Sequence, residues 1–140
     1  MKNRFPAMSA TLALCAMALT GAVAHAQPAA FTLASPDLGS GTFDNKLVLN
    51  GFGCKGGNIS PALEWRNVPA GTKSLALQVY DPDAPTGSGF WHWAVYNMPA
   101  GAGHLREGLA RDPVLAEPRG AMQGVGTGGR VGYFGPRPPG

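Results

Sequence analysis

From Leu75 to Asn97 the chain runs LALQVYDPDAPTGSGFWHWAVYN, and few backbone arrangements satisfy that order. Leu75, Leu77 and Val79 alternate with Ala76, Gln78 and Tyr80, the period-two pattern of a half-buried strand. After a break, Trp91, Trp93 and Val95 alternate in the same way with Phe90, His92, Ala94 and Tyr96. Pro82 and Pro85 lie between the two runs. Each locks its own φ and pushes the residue before it out of the helical region. Two strands joined by a stiff acidic loop are therefore expected. If they pair, Asp81 leaves the first strand where His92 enters the second, and Asp81 and Asp83 stand near one imidazole at the rim of a sheet.

The flanking sequence supports the same class. Short apolar runs at Phe31–Leu33, Leu47–Leu49 and Pro61–Trp65 are expected strands, separated by turn residues such as those of Ser35–Asp37, Gly39–Gly41 and Asn67–Gly71. Many short strands at this spacing indicate an all-β sandwich or barrel. Gly51-Phe-Gly-Cys-Lys-Gly56 matches the dinucleotide-binding pattern G-x-G-x-x-G, but that chemistry needs a helix to start there, its amides facing a pyrophosphate. Gly57-Asn-Ile-Ser-Pro61 cannot supply one, so a turn loop is expected instead. After Asn97, Met98–Gly103 is a turn, and His104–Ala110 is a short helix or loop with His104 facing solvent. Gly120–Gly140 is too rich in glycine and proline for a regular element.

The first 26 residues are set apart. Lys2 and Arg4 form a basic start, Thr11–Val23 is a short apolar run, and Ala24-His-Ala26 is an Ala-x-Ala cleavage signal. The run falls short of the roughly 20 residues a permanent anchor needs. A cleaved signal peptide (1–26) followed by one domain (27–140) is expected, with a periplasmic or secreted product and no integral membrane segment after cleavage. The full chain carries 11 basic and 8 acidic residues; losing Lys2 and Arg4 leaves nine against eight. That balance, with no basic block, argues against nucleic acid as a partner. Loss of Cys15 leaves Cys54 alone, a thiol expected to be buried and structural.

Asp81-Pro-Asp-Ala-Pro85 followed by His92-Trp93 resembles the signature of the phosphatidylethanolamine-binding proteins, most closely the bacterial YbhB/YbcL-type, Raf-kinase-inhibitor-like branch. Gly51–Trp65 and Val68–Ser74 are similar to further stretches of that branch, and Gly120–Gly140 matches it more loosely. The resemblance implies a Greek-key β-sandwich of two antiparallel sheets. It also implies a pocket for small anions such as phosphate or a phospholipid head group, walled in part by Gly135 and Pro136. Relatives often carry a second cysteine where this chain has Arg137, which implies that any disulfide there is lost. In the family a Gly…His-Arg-Tyr strand, further sheet and a C-terminal helix follow. None of these follows Gly140, so an incomplete sandwich with exposed ladder groups, prone to aggregate, is expected.

Three kinds of chemistry suit Asp81, Asp83 and His92. In an anion-binding site the carboxylates cannot be the main contacts. Asp81 would then orient and charge His92, His92 would face the anion, and Asp83 would hold the loop or meet a head-group amine. An acid–base hydrolase using Asp81 and His92 is the second possibility, although it lacks a nucleophile: there is no Gly-x-Ser-x-Gly elbow, and Ser88 sits in a Gly-rich turn. A metal site on the three side chains is the third, from a weak signature. The expectation is a non-enzymatic binding protein without a cofactor, taking a small anionic ligand, with action on a protein partner as a secondary expectation; a non-functional truncated product is the remaining alternative.

Overall fold

The computed structural model describes residues 29–39 and 41–137; the expected signal segment and its cleavage point after Ala26 lie outside them. The alternating runs form β5 (Ser74–Asp81) and β6 (Phe90–Pro99), paired antiparallel. β8 (Met122–Gln123) adds to the free side of β6, giving a sheet of order β5-β6-β8. A second antiparallel sheet has the order β1-β4-β7, from β1 (Thr32–Ala34), β4 (Leu63–Arg66) and β7 (His104–Leu105). β2 (Asn50–Gly51) and β3 (Cys54–Lys55) form a small hairpin. The architecture is the expected all-β one, and among the described residues no helix is long and apolar enough to cross a membrane.

Some local expectations need correction. Leu47–Leu49 is not a strand: Leu47 N–H donates to Asp44 O and Val48 N–H to Asn45 O, closing a turn. The Asp44-Asn45 pair favours that turn locally, and Leu47 is still fully buried by it. The Gly51–Gly56 segment is a strand hairpin, with Phe52 at φ 51 and Gly53 at φ 90 at its tip. His104 is exposed as expected but opens β7 rather than a helix. Cys54 is a free thiol, only half-buried.

Register in the central hairpin departs from simple alternation at two points. Leu75 pairs with Met98 but Leu77 pairs with Val95, so Tyr96 and Asn97 face the single residue Ala76. Asn97 takes up the left-handed conformation that this bulge needs (φ 57), and its amide donates to Gly120 O. Higher up, Val79 pairs with Trp93 but Tyr80 with Trp91, leaving His92 as the extra residue. The second bulge has a chemical consequence. Trp91 goes to the outer face, 40% exposed and stacked on Tyr80 at 4.3 Å between centroids, while His92 is turned into the protein.

The core is built where the two sheets face each other. Trp93, Met98 and Val95 from β6 and Leu105 from β7 are essentially inaccessible, packed with Leu63, Trp65 and Leu77. Leu115, Ala121 and Tyr133, from the long segment after β7, close the cluster. Burial raises the Tyr133 hydroxyl above its ordinary pKa, and it donates to Leu47 O at 2.9 Å, tying the late loop to the early turn.

A polar clamp joins the same distant parts at the surface. Lys46 Nζ donates to Asp37 Oδ1 at 2.6 Å and to Glu107 Oε2 at 2.7 Å, while Asp37 Oδ2 accepts from Ala62 N–H at 2.7 Å. The ammonium first, and then the amide, hold the Asp37 carboxyl below the usual carboxylate range. Because the folded-state value is depressed, this contribution is fully present above the unfolded value and lost as the pH falls through about 4 and below. Asp37→Ala is expected to cost about 1 kcal/mol at neutral pH. The melting temperatures of the two proteins should draw together as the pH falls below the unfolded carboxylate value; a difference that is the same in acid as at neutral pH would show that Asp37 acts by packing alone.

Candidate functional site

A cavity of about 830 Å³ opens at the end of the β5–β6 hairpin. The β2–β3 hairpin (Asn50, Gly51, Phe52), the acidic loop (Asp81, Ala84, Pro85, Thr86), Phe90 and His92 of β6, and the late segment (Arg111, Gly128, Arg130, Phe134, Gly135, Arg137) line it. Of the five residues expected at the site, Asp81, His92 and Gly135 reach this cavity. Asp83 and Pro136 do not line it; Pro136 instead accepts a backbone bond from Leu49 N–H at 3.0 Å.

His92 is held by Phe134, not by Asp81. Its Nδ1 lies 2.7 Å from Phe134 O, and Phe134 N–H donates to His92 O at 2.9 Å. A carbonyl only accepts, so Nδ1 carries the proton. Among the described residues Nε2 has no hydrogen-bond partner, and His92 lines the cavity. Phe90 and Phe134 flank the ring, with centroids 4.7 and 6.5 Å from it. Among the described residues no ion pair joins Asp81 to His92. Asp81 Oδ1 instead accepts from Asp83 N–H at 2.9 Å, the local turn that Asp-Pro sequences favour. The orienting role expected of Asp81 therefore falls to a backbone carbonyl 42 residues after His92.

The loop itself is tightly closed. Thr86 Oγ1 donates to Gly89 O at 2.6 Å and Tyr80 Oη to Ser88 O at 3.0 Å. Gly89 (φ 71) sits against Asp81 O, 2.7 Å from where a Cβ would stand, so no larger residue fits. Asp81, Asp83 and His92 do not converge as a ligand set: among the described residues no three His, Cys, Asp or Glu side chains gather to hold a metal.

The sequence reading missed the arginines. Arg111, Arg130 and Arg137 all line the cavity, against Asp81 as the one carboxylate there among the described residues. None of the three is in an ion pair with a described carboxylate; the one arginine that is, Arg66, lies elsewhere, 3.9 Å from Glu64. Two devices place Arg111. Gln123 Nε2 donates to Ala110 O and Asp112 O on either side of it, at 2.7 and 2.8 Å. Gly132 (φ 85) leaves room for its backbone, since a Cβ there would lie 3.1 Å from Arg111 Cα. No periodicity marks these arginines; for Arg130 and Arg137 the available signal was basic residues within a glycine-rich tail, and Arg111, before that tail, carried none.

Residues 39–140 match the family described as phosphatidylethanolamine-binding protein. The chain is 49% identical to YbcL of Escherichia coli K12 over 81% of its own length and 63% of that protein's. It is 48% identical to YbhB of the same organism over 76% of its length and 68% of YbhB. The chain thus spans roughly two thirds of these relatives. The crystal structure of E. coli YbcL, described as a member of the mammalian PEBP family, superposes with a TM-score of 0.73 over 79% of this chain and 68% of that one. With the profile match, these likenesses and a shared β-rich fold, the chain belongs to the phosphatidylethanolamine-binding protein family.

Proposed function

We propose that this chain is a binding protein whose cavity takes a small anion of phosphate or phospho-head-group chemistry, and that it works outside the cytoplasm after removal of its first 26 residues. The cationic lining carries the reading. Among the described residues, three arginines without an ion-pair partner and one histidine line a space whose sole carboxylate is Asp81. Arginine presents planar, forked donors suited to phosphate oxygens, and a half-enclosed site strengthens each such contact. His92 Nε2, when protonated, adds a donor at the inner end, and Phe52, Phe90 and Phe134 give the anion an apolar surround that can accept the rest of a larger molecule. Asp81 sits where it can meet a cationic amine on such a molecule.

The test is a titration with inorganic phosphate and with phosphoethanolamine at low salt, following the His92 ring signals by NMR and the heat by calorimetry. Saturable binding with shifted His92 signals is expected. Replacing Arg111, Arg130 and Arg137 together by alanine should weaken it by at least about tenfold, since each charged hydrogen bond contributes on the order of 1 kcal/mol or more. Phosphate that leaves His92 unmoved, or binds the triple variant equally well, would remove the proposal.

A further inference from the structure

The tip of the β2–β3 hairpin breaks a local rule. Asn50 pairs with Lys55 and Gly51 with Cys54, which leaves Phe52 and Gly53 as a two-residue turn. Both stand at positive φ, 51 and 90. A hairpin turn with positive φ at both central residues is the place for Asn-Gly, Asp-Gly or Gly-Gly. Gly53 obeys that preference. Phe52 does not, and a bulky side chain in the left-handed region is strained. Core packing does not offset the strain, because Phe52 is 78% exposed and lies outside the buried cluster. It does line the cavity, with Asn50 and Gly51 of the same hairpin. Strained backbone of this kind persists where its surroundings hold it, and it gathers at ligand clamps. The surroundings here are firm: Gly56 N–H donates to Leu49 O at 3.0 Å, Asn58 N–H to Val48 O at 2.8 Å, and Leu49 N–H to Pro136 O at 3.0 Å. The hairpin is thereby fixed to the segment that carries Phe134.

We infer that Phe52 is a specificity residue of the cavity, and that the ligand is a phosphate ester whose substituent is an aromatic ring, stacked on Phe52 at the mouth. This rests on the anion reading above and says what the anion carries. Size argues that it carries something. At about 830 Å³ the cavity is large enough to enclose a whole small organic molecule, and a bare phosphate fills only a small part of it. The kind of substituent follows from the lining. Phe90 lies 4.7 Å from the His92 ring and 5.5 Å from Phe134, so the apolar lining is aromatic at the inner end as it is at the mouth. Aromatic rings pair with one another in offset and edge-on arrangements beyond what burial alone gives, so a flat ring suits this lining best. A short polar substituent such as that of phosphoethanolamine gains nothing from Phe52.

The experiment is calorimetry with inorganic phosphate, phenyl phosphate and hexyl phosphate on the wild-type protein, Phe52→Asn and Phe52→Tyr. Phe52→Asn installs the residue that the turn prefers, so its melting temperature should be no lower than that of wild type. Wild type should bind phenyl phosphate about fivefold more tightly than inorganic phosphate. Phe52→Asn should bring that ratio towards one, and Phe52→Tyr, which keeps the ring, should preserve it. A ratio near one in wild type, or a ratio that Phe52→Asn leaves unchanged, would overturn the inference and leave the anion reading standing. So would hexyl phosphate bound as tightly as phenyl phosphate, or a lower melting temperature for Phe52→Asn, which would show a ring that packs rather than one held for a ligand. Wild-type protein that binds none of the three phosphates removes both readings.

Discussion

Replacing Gln123 by leucine is expected to lower the stability of the protein by about 2–4 kcal/mol, or on the order of 10–20 °C in melting temperature. Gln123 is 4% exposed and spends both ends of its amide. Its Oε1 accepts from Trp93 Nε1 at 2.7 Å, and its Nε2 reaches the carbonyls of Ala110 and Asp112. Trp93 is wholly inaccessible, so its indole N–H would be left without water or protein as partner. The two carbonyls belong to exposed residues and can turn to solvent, so the indole donor accounts for most of the loss. Removing that donor as well, in Trp93→Phe with Gln123→Leu, should give a loss smaller than the sum of the single losses by about 1 kcal/mol. Chemical denaturation of the four proteins measures this coupling; strict additivity would show that the hydrogen bond contributes nothing. Phosphate affinity supplies a second readout, because the same amide fixes the residues on both sides of Arg111. A Gln123→Leu protein that still folds at low temperature should bind phosphate more weakly than wild type.

The second large effect is expected at Gly135. Its backbone lies against the Leu47–Leu49 turn: an added Cβ would stand 2.6 Å from Leu49 N and 2.8 Å from Val48 C. Those are backbone atoms in a turn that buries Leu47, so no flexible side chain can yield. Gly135→Ala should therefore cost about 3 kcal/mol, the upper end for overpacking. Gly101→Ala, with nothing within 4 Å of its added Cβ, is the matched control and should change stability little. The displacement also has a functional direction. Gly135 N–H donates to Asn58 Oδ1 at 2.7 Å, and the residue before it supplies the carbonyl that holds His92 Nδ1. Moving this segment away should release the imidazole and shift its NMR signals even without ligand. A Gly135→Ala protein with wild-type melting and unchanged His92 signals would contradict the packing described here.

Much of the fold was legible because it rests on local pattern. Alternation in Leu75–Val79 and Trp91–Val95, with two prolines between, specifies a hairpin whatever surrounds it, and β5 and β6 are that hairpin. The acidic loop and His92 do share one cavity with Gly135, as the family signature implied. What escaped was register. A period-two reading assigns every residue of β6 a face, but the bulge opposite Val79 and Tyr80 sends Trp91 outward and His92 inward. No local feature marks that bulge. It is held by the tail: Trp91 N–H donates to Thr127 Oγ1, Thr127 N–H to Trp91 O, and Phe134 N–H to His92 O.

Asp81 and the arginines illustrate the two sides of that division. Asp81 and Asp83 are two residues apart in a proline-fixed turn, and Asp81 does what such a turn dictates, accepting the Asp83 amide. His92, eleven residues after Asp81, takes its partner from Phe134, and Arg111, Arg130 and Arg137 come to the cavity from a segment with little regular structure. Sequence alone determined the strands, the stiff loop and the family signature, because each depends on neighbours within a few positions. The charge of the cavity and the orientation of its histidine were decided only by the tertiary structure. They depend on hydrogen bonds and close backbone contacts between segments tens of residues apart, and no short window of sequence encodes those meetings.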